Sequence, residues 1–261
     1  MKVTVLGCGG SGGVPAAGRE PGGYWGNCDP ANPKNRRRRV SVLVEQGETR
    51  LLIDTSPDLR LQMLDAGIVG LDAVLYTHAH GDHCHGLDDL RFLVYARGAA
   101  IPAYMDAATR TNLTRRFDYA FVSSADPESM YRPLLDDQVI EGPVTIGGVE
   151  VVPFVQGHGP GETSLGYRLG PAAYSTDVAD LDDKAFETLE GVRLWIVDCL
   201  RLEPHPTHTH FEKTLSWIAR VKPQRAVLTH MNHTLDYDTL AALCPPGVEP
   251  GYDGLVIELG D

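Results

Sequence analysis

The chain has few positive charges and no long apolar run. No stretch approaches the roughly 20 apolar residues of a transmembrane helix, so we expect no membrane span. Lysine and arginine total 23 against 35 aspartates and glutamates, a formal net charge of −12. Because polyphosphates bind mainly through lysine and arginine, we expect no nucleic-acid partner. The one basic cluster, Arg36–Arg39, either faces an anionic substrate or lies in a solvated loop.

Cysteine is also scarce. The five cysteines are odd in number and scattered, which disfavours a disulfide framework and favours a reducing compartment. The segment from Met1 to Leu6 is too short to hold the charged and apolar regions of an export signal. We therefore expect a cytoplasmic protein. The sequence is compatible with a homodimer but does not fix the oligomeric state.

The length and the spacing of apolar runs predict one α/β domain over residues 1–261. The predicted strands are 3–6, 40–45, 50–54, 73–77, 149–155, 194–198, 225–229 and 254–259. The predicted helices are 57–66, 86–97, 107–120, 180–190 and 209–221. The segment 106–140 lacks clear strand alternation, and it is either a lid or insertion over a site or a plain connection.

The glycine-rich start matches a dinucleotide-binding spacing. Gly7, Gly9 and Gly12 form GxGxxG directly after a predicted strand. A pyrophosphate site would need a helix next, but Pro15 and Pro21 oppose one. The chain also lacks the GK[ST] of a phosphate-binding P-loop. We interpret this segment as a tight active-site loop.

The ten histidines fall in four short regions, and the densest reads THAHGDHCHG over residues 77–86. His78 and His80 point the same way from an extended turn, while Asp82 and His83 come from the bend behind. Imidazole and carboxylate ligands suit zinc, manganese or iron. Three protein ligands per ion leave open positions, as catalytic sites require. The cluster therefore predicts a catalytic centre with two metal ions.

These residues resemble the metallo-β-lactamase superfamily, whose signature is HxHxDH followed by a distant His, Asp and His. The chain supplies, in order, His78, His80, Asp82, His83, His158, Asp177 and His230. The resemblance implies an αββα sandwich, with two mixed β-sheets flanked by helices. It assigns His78, His80 and His158 to one divalent ion. It assigns Asp82, His83 and His230 to the other ion, with Asp177 bridging both.

Further segments are similar to phosphodiesterases of the carbon–phosphorus lyase pathway, which act on a phosphoribosyl 1,2-cyclic phosphate. They are LGCGGSGGVP, WGNCDP, HPTHTHF and LTHMNH. The resemblance places a histidine before a helix against the substrate phosphate. His208 matches it best, His210 is the alternative, and His205 is interpreted as a bystander. Asp82 and His208 are accordingly the predicted catalytic residues.

The chain departs from those phosphodiesterases at one point. They hold a further structural zinc through cysteines near the WG segment and a histidine after the last metal ligand. Here only Cys28 and His233 match these positions. One thiol and one imidazole fall short of a closed tetrahedral site, so the sequence supports neither a third zinc nor an identical substrate.

The implied activity is hydrolysis of a small phosphodiester, such as a cyclic ribose phosphate, by water that two metal ions activate. His208 would donate a proton to the leaving oxygen or position the phosphate. Asp54 and Asp198 end apolar strands, where they either orient metal-bound histidines or serve as ordinary turn acceptors. Alternative functions are ribonuclease Z-like tRNA processing, a role like that of pyrroloquinoline quinone biosynthesis proteins, and non-catalytic metal binding.

Overall fold

The computed structural model describes residues 1–18, 21–122, 126 and 132–260. The strands are β1 (Lys2–Gly7), β2 (Ser41–Gln46), β3 (Thr49–Ile53), β4 (Ala73–Leu75), β5 (Ile101–Met105), β6 (Leu135–Val139), β7 (Val144–Ile146), β8 (Val149–Gly157), β9 (Thr163–Leu169), β10 (Ala172–Ser175), β11 (Leu194–Asp198), β12 (Arg225–Thr229), β13 (Val248–Pro250) and β14 (Val256–Glu258). The α-helices are α1 (Leu59–Ala66), α2 (Gly81–Cys84), α3 (Arg91–Arg97), α4 (Ala107–Arg116), α5 (Asp183–Leu189), α6 (Phe211–Val221) and α7 (Tyr237–Leu243). Short 3-10 helices cover Pro33–Asn35, Leu87–Leu90 and Asp118–Ala120.

The strands form two seven-stranded mixed sheets. The first has the order β14-β1-β2-β3-β4-β5-β6, antiparallel from β14 to β3 and parallel from β3 to β6. The second has the order β13-β12-β11-β10-β9-β8-β7, parallel from β13 to β10 and antiparallel beyond. With its flanking helices, this is the predicted αββα arrangement of the metallo-β-lactamase fold.

Apolar side chains on the strands hold the two sheets to each other and the first sheet to its helices. One buried cluster joins the two sheets and includes Val42, Ile53, Tyr167 and Trp195. Trp195 is fully buried, and its Nε1 atom donates to Ser175 Oγ at 3.0 Å, so its polar atom is satisfied. A second cluster lies between the first sheet and helices α1, α3 and α4. The sheets thus form a rigid frame for the strand ends.

The helices begin and end where the sequence supplies caps. Asp106, Asp182 and Asp236 each accept a backbone N–H in the first turn of α4, α5 and α7, respectively. Gly67 and Gly98 end α1 and α3 in the left-handed conformation that glycine adopts without strain. These local signals agree with the boundaries that the apolar pattern sets.

The eight predicted strands overlap β1, β2, β3, β4, β8, β11, β12 and β14, and the predicted helices overlap observed ones. The sequence missed the short or polar strands β5, β6, β7, β9, β10 and β13 and the helices α2 and α7. The predicted helix 86–97 begins as a 3-10 turn before α3, and 107–120 ends as one after α4.

The segment 106–140 holds α4, a 3-10 turn and β6, the edge strand of the first sheet. Residues 123–125 and 127–131 of this segment lie outside the described residues. Between Gly7 and Asn32, the described residues contain no helix, which agrees with a loop rather than a dinucleotide site. No helix in the described ranges has the length and apolar character needed to cross a membrane.

Candidate metal centre

Polar side chains meet where strands of both sheets end. Asp54 follows β3, His158 follows β8, and His230 follows β12. His78 and Asp177 come shortly after β4 and β10. Because the sheets fix the strand ends, these side chains, all of them buried, have set positions.

The backbone is unusual at three of these positions. Asp54, Asp177 and His230 have φ angles of 61°, 52° and 57°. Non-glycine residues seldom adopt this left-handed region, although aspartate and histidine tolerate it better than most. Such a conformation costs roughly 1–3 kcal/mol and is concentrated at functional sites. The sharp turn after each strand brings the side chain into the cluster.

The first ligand group consists of His78, His80, His158 and Asp177. The Oδ2 atom of Asp177 lies 3.4 Å from His158 Nε2 and 3.6 Å from His78 Nε2. His80 Nδ1 lies 3.3 Å from His158 Nε2. His80 is half-exposed, so this group opens towards solvent.

The second ligand group consists of Asp82, His83, His230 and again Asp177. The Oδ1 atom of Asp177 lies 3.1 Å from the Nε2 atoms of both His83 and His230. Asp82 Oδ2 lies 3.4 Å from His83 Nε2 and 3.6 Å from His230 Nε2. The two oxygens of Asp177 therefore face two different sets of ligands.

The donor atoms fit divalent cations. The Nε2 atoms of His78, His83 and His230 are buried and have no hydrogen-bond partner among the described residues. Such atoms are costly unless something satisfies them. Ligand atoms about 2.1 Å from a tetrahedral zinc lie about 3.4 Å from one another, close to the separations found here. The mixed nitrogen and oxygen set suits zinc, manganese or iron.

Hydrogen bonds on the far side of the rings orient the histidines. The Nδ1 atom of His83 donates to Asp54 Oδ2 at 2.7 Å, and His158 Nδ1 donates to the Thr207 carbonyl at 2.9 Å. Each bond places the ring proton on Nδ1 and leaves Nε2 free to face the site. Of the two roles considered for Asp54, the geometry therefore favours the orienting one.

Asp198 forms a hydrogen bond with His208, which is not one of the proposed metal ligands. Its Oδ2 atom accepts from His208 Nδ1 at 3.0 Å and from the Val178 N–H at 3.1 Å. The His208 ring stacks on that of His230, with centroids 4.8 Å apart, and lies 5.1 Å from the ring of His158. His208 thus stands beside both ligand groups. The ring of His205 contacts that of His208, with centroids 5.2 Å apart, whereas His210 is the N-cap residue of α6.

The charged groups of the cluster shift one another's pKa values. Burial alone would raise the pKa of Asp177, but the positive charges of His230 and His83 hold that pKa well below its usual range. Burial would lower the pKa of His230, but Asp177 and Asp82 raise it to about 9. Burial, together with the His83 charge, lowers the pKa of His78. The carboxylates thus stay ionised, as metal ligands must.

The surroundings of Cys28 do not form a further metal site. Its Sγ atom contacts the carbonyl oxygens of His233 and Leu235 at 3.5 and 3.4 Å. The buried Arg37 guanidinium lies 3.9 Å from this sulfur and donates to the Asn232 carbonyl at 3.2 Å. A guanidinium, not a second thiol or a ring nitrogen, faces this thiol, so the described residues do not fit a structural zinc here.

The basic cluster 36–39 is largely engaged within the protein. Arg38 pairs with Asp65 at 2.7 Å, and Arg39 pairs with Asp58 at 2.8 Å. One neighbour of the centre was missed by the sequence interpretation: Glu162 Oε2 lies 3.8 Å from His80 Nε2. Glu162 sits in a glycine-rich loop with no metal-ligand spacing, so no pattern marks it.

Comparison with known proteins agrees with this geometry. The family described as "Beta-lactamase superfamily domain" matches residues 49–231. An octanoyltransferase of Porphyromonas gingivalis (strain ATCC BAA-308 / W83) is 35% identical over 259 residues, which are 98% of this chain and 51% of that protein. The chain thus spans about half the length of this relative.

Two solved structures resemble the whole chain. One is described as a new diphosphatase from the PhnP family; it is 34% identical, with a TM-score of 0.88, and the match covers 99% of this chain and 98% of the other. The Zn²⁺-bound PqqB from Methylobacterium extorquens is 20% identical, with a TM-score of 0.75 and 99% and 100% coverage, and this likeness shows the fold alone. The chain therefore belongs to the metallo-β-lactamase superfamily and is related to the PhnP family.

Proposed function

We propose that this protein is a hydrolase, a phosphodiesterase that uses two metal ions to cleave a small phosphodiester, including cyclic ribose phosphates. The observation that carries the proposal is the position of Asp177. Its Oδ1 atom faces His83 and His230 at 3.1 Å, while Oδ2 faces the other histidine group at 3.4–3.6 Å. One carboxylate between two ligand groups suits a two-metal site for phosphoryl chemistry.

The bound ions would lower the pKa of a water molecule and polarise a phosphoryl oxygen. His78, His80 and His158 would hold one ion, Asp82, His83 and His230 the other, and Asp177 both. Zinc and manganese both accept these ligands, and iron is compatible with them. Asp82 serves the reaction as a ligand and not as a proton carrier, because its oxygen faces two ligand nitrogens.

His208 is the residue that we assign to the substrate. Its Nδ1 atom is held by Asp198, so the proton on that nitrogen is fixed and Nε2 is left to contact a ligand. A protonated His208 would donate from Nε2 to the leaving oxygen as that oxygen acquires charge. A neutral His208 would only position the phosphate, and leaving groups of different basicity distinguish these roles.

Contacts in the basic cluster support a small substrate over tRNA. Arg37 is buried, and Arg38 and Arg39 are paired with aspartates, so they do not form a free surface for a polyphosphate. The net charge of −12 also opposes long-range attraction to RNA. Ribonuclease Z-like processing is therefore the weaker candidate.

A diphosphate substrate is the second candidate. The similar solved structure with 34% identity is described as a diphosphatase. A phosphoanhydride and a phosphodiester present the same phosphoryl oxygens to a two-metal site, and they differ in the leaving group. The phosphate that leaves from a diphosphate is already a weak base, so its departure depends less on proton donation by His208.

Hydrolysis assays on metal-free protein reconstituted separately with manganese and zinc test the proposal. The substrates are bis-p-nitrophenyl phosphate, ribose 1,2-cyclic phosphate and a nucleoside diphosphate sugar. We expect metal to restore turnover of the phosphodiesters and His208→Ala to reduce it. Turnover of the diphosphate alone would favour the second candidate. Two bound metals without turnover of any of the three would contradict the proposal and favour other metal chemistry or a binding role.

A further inference from the structure

His80 presents a different ring nitrogen to the metal centre from its neighbours. His83 and His158 have their Nδ1 atoms bound to outer partners, and they face the centre with Nε2. In His80 it is Nδ1 that faces the cluster, 3.3 Å from His158 Nε2. A metal-bound imidazole is neutral and carries its one proton on the nitrogen that is not bound. With an ion on Nδ1, the ring proton of His80 is therefore on Nε2, its outer nitrogen.

Glu162 is the residue that faces this outer nitrogen. Its Oε2 atom lies 3.8 Å from His80 Nε2, and no other carboxylate oxygen of the described residues lies within 4.0 Å of that nitrogen. Glu162 is a member of neither ligand group, so its carboxylate is an outer partner of His80 and not a further ligand. The separation is that of an ion pair and is slightly longer than a hydrogen bond. Because the glutamate side chain is 62% exposed, it is free to turn towards the ring proton.

The backbone of the loop between β8 and β9 holds Glu162 beside the centre. The His158 N–H donates to the Glu162 carbonyl at 2.9 Å and closes the loop. Gly159 and Gly161 have φ angles of 106° and 78°, which glycine adopts without strain. A Cβ atom at Gly159 would lie 2.7 Å from Thr207 Cγ2, so the loop packs closely on the residue whose carbonyl accepts from His158 Nδ1. One short loop thus places a proposed ligand and the outer partner of a second ligand.

We propose that Glu162 is a positioning residue that orients His80 through its outer nitrogen and so determines how tightly the more exposed of the two ions is retained. The inference rests on the two-ion centre of the proposed function and is independent of the substrate. Asp54 and His83, the corresponding pair of the second ligand group, are both fully buried, whereas His80 is 51% exposed. Water replaces an exposed partner in part, so Glu162 has a smaller effect on its ion than Asp54 has.

A carboxylate near a metal centre also attracts cations through its charge alone, without orienting a ring. The two effects respond differently to substitution and to salt. Glu162→Gln keeps an oxygen that accepts the His80 ring proton but removes the charge, whereas Glu162→Ala removes both. An effect of charge alone is screened in 1 M salt, where the Debye length is about 3 Å. The two variants, each measured at low and high salt, therefore separate orientation of His80 from attraction by charge.

The test measures the stoichiometry and affinity of zinc binding to metal-free protein by competition with a chelator, with no substrate present. We expect Glu162→Ala to weaken the binding of one of the two zinc ions about 3- to 10-fold, at both salt concentrations. Glu162→Gln should recover most of this affinity. Glu150→Ala is the matched control, because Glu150 is also exposed and lies near the start of β8, the strand that leads to His158. It should bind zinc as the wild type does.

The protonation state of His80 gives a second readout. In two-bond ¹H–¹⁵N spectra of the zinc-loaded protein labelled with ¹⁵N-histidine, we expect zinc on Nδ1 of His80 and the proton on Nε2. The His80 signals are identified by their absence from His80→Ala. The Nε2 signals should shift in Glu162→Ala and stay unchanged in Glu150→Ala. A role of Glu162 in folding alone would not produce this pattern.

Three results would overturn the inference. They are equal zinc affinity of the wild type and Glu162→Ala, zinc bound to Nε2 of His80, and a loss that Glu162→Gln shares in full and that disappears in 1 M salt. Matching melting temperatures of the metal-free proteins exclude a folding defect. Absence of phosphodiester turnover would contradict the proposed function but would leave these zinc affinities unchanged, so the two failures are distinguishable.

Discussion

The Nδ1 atom of His83 lies 2.7 Å from Oδ2 of Asp54, and both side chains are completely buried. Asp54 also accepts the backbone N–H and the hydroxyl of Thr77, each at 2.8 Å. The carboxylate thus receives three donors and fixes both the ring orientation and the protonated nitrogen of His83. Nε2 of His83 is left free towards Asp177 and Asp82.

We expect Asp54→Asn to weaken metal binding by the second ligand group about 10- to 100-fold, because an amide has only one oxygen for these donors. Metal content and affinity, measured by mass spectrometry after dialysis and by competition with a chelator, check this. Asp137→Asn is a control, since Asp137 is also buried and charged but pairs with Arg110. Equal metal loss in both variants would show that the effect is general destabilisation.

Asp177 allows a sharper test of the two-metal arrangement. We expect Asp177→Asn to retain less than one equivalent of tightly bound metal and to lose activity about 1,000-fold or more, because a single amide oxygen cannot serve both ligand groups. His80→Ala should remove the more exposed ion while leaving the other. Two equivalents bound with unchanged affinity by the Asp177 variant would rule out a bridging role.

The role of His208 can be separated from metal binding. The Nδ1 atom of His208 is held by Asp198, which is not one of the seven proposed ligands. We therefore expect His208→Ala to keep the wild-type metal content. Loss of a general acid would lower kcat about 10²–10⁴-fold on a ribose cyclic phosphate, whose leaving alkoxide needs a proton. The effect on bis-p-nitrophenyl phosphate, whose leaving group needs none, should be much smaller.

The control for this experiment is His210→Ala, since His210 is the N-cap residue of α6 and belongs to neither of the two proposed ligand groups. Steady-state rates and metal content are measured on each variant. An equal loss of activity on both substrates would assign His208 to phosphate positioning. Loss of bound metal from His208→Ala would instead make it a ligand.

The sequence could predict the residues that form the histidine and aspartate cluster, because their order is a property of the chain alone. HxHxDH and the later His158, Asp177 and His230 mark the strand ends without any knowledge of packing. The sequence could not predict the left-handed conformation of Asp54, Asp177 and His230, since their φ angles depend on how the strands end against neighbouring loops. It also missed β9 and β10, which lie between His158 and Asp177, because their runs are short or interrupted by Gly166 and polar residues.

Contacts between segments that are distant in the sequence could not be predicted either. Arg37 belongs to a run of four arginines that suggested a solvated or substrate-facing cluster, yet it is buried against Cys28 and the Asn232 carbonyl. Arg116 lies 31 positions from His85, and only the packing of α4 on the metal-ligand segment brings them together. No periodic pattern in the sequence links such residues, so only the tertiary structure shows that they are in contact.

Asp236 gives a prediction for the pH dependence of stability. Its Oδ1 atom caps α7 by accepting Thr239 N–H at 3.0 Å, and Oδ2 accepts from Asn35 Nδ2 at 2.7 Å. Burial would raise the pKa of Asp236, but the Thr239 and Asn35 hydrogen bonds outweigh it and lower the pKa to about 2. The charged carboxylate therefore stabilises the folded chain above the unfolded pKa of about 3.9, and this stabilisation is lost as pH falls through about 2.

We expect Asp236→Asn to reduce the free energy of unfolding by about 0.5–1 kcal/mol at pH 7, because the group is only partly buried and the amide still caps the helix. The difference in the free energy of unfolding between the variant and the wild type should shrink as pH falls from about 5 to 3. In this range the carboxylate of the unfolded wild-type chain becomes protonated, so the charged carboxylate stabilises the folded chain less. Urea unfolding of metal-free protein at several pH values measures this, so that loss of metal in acid does not contribute. Asp238→Asn, in the first turn of the same helix, controls for the helix dipole. A difference that stays constant down to pH 3 would show that the hydrogen-bond acceptor, and not the charge, carries the effect.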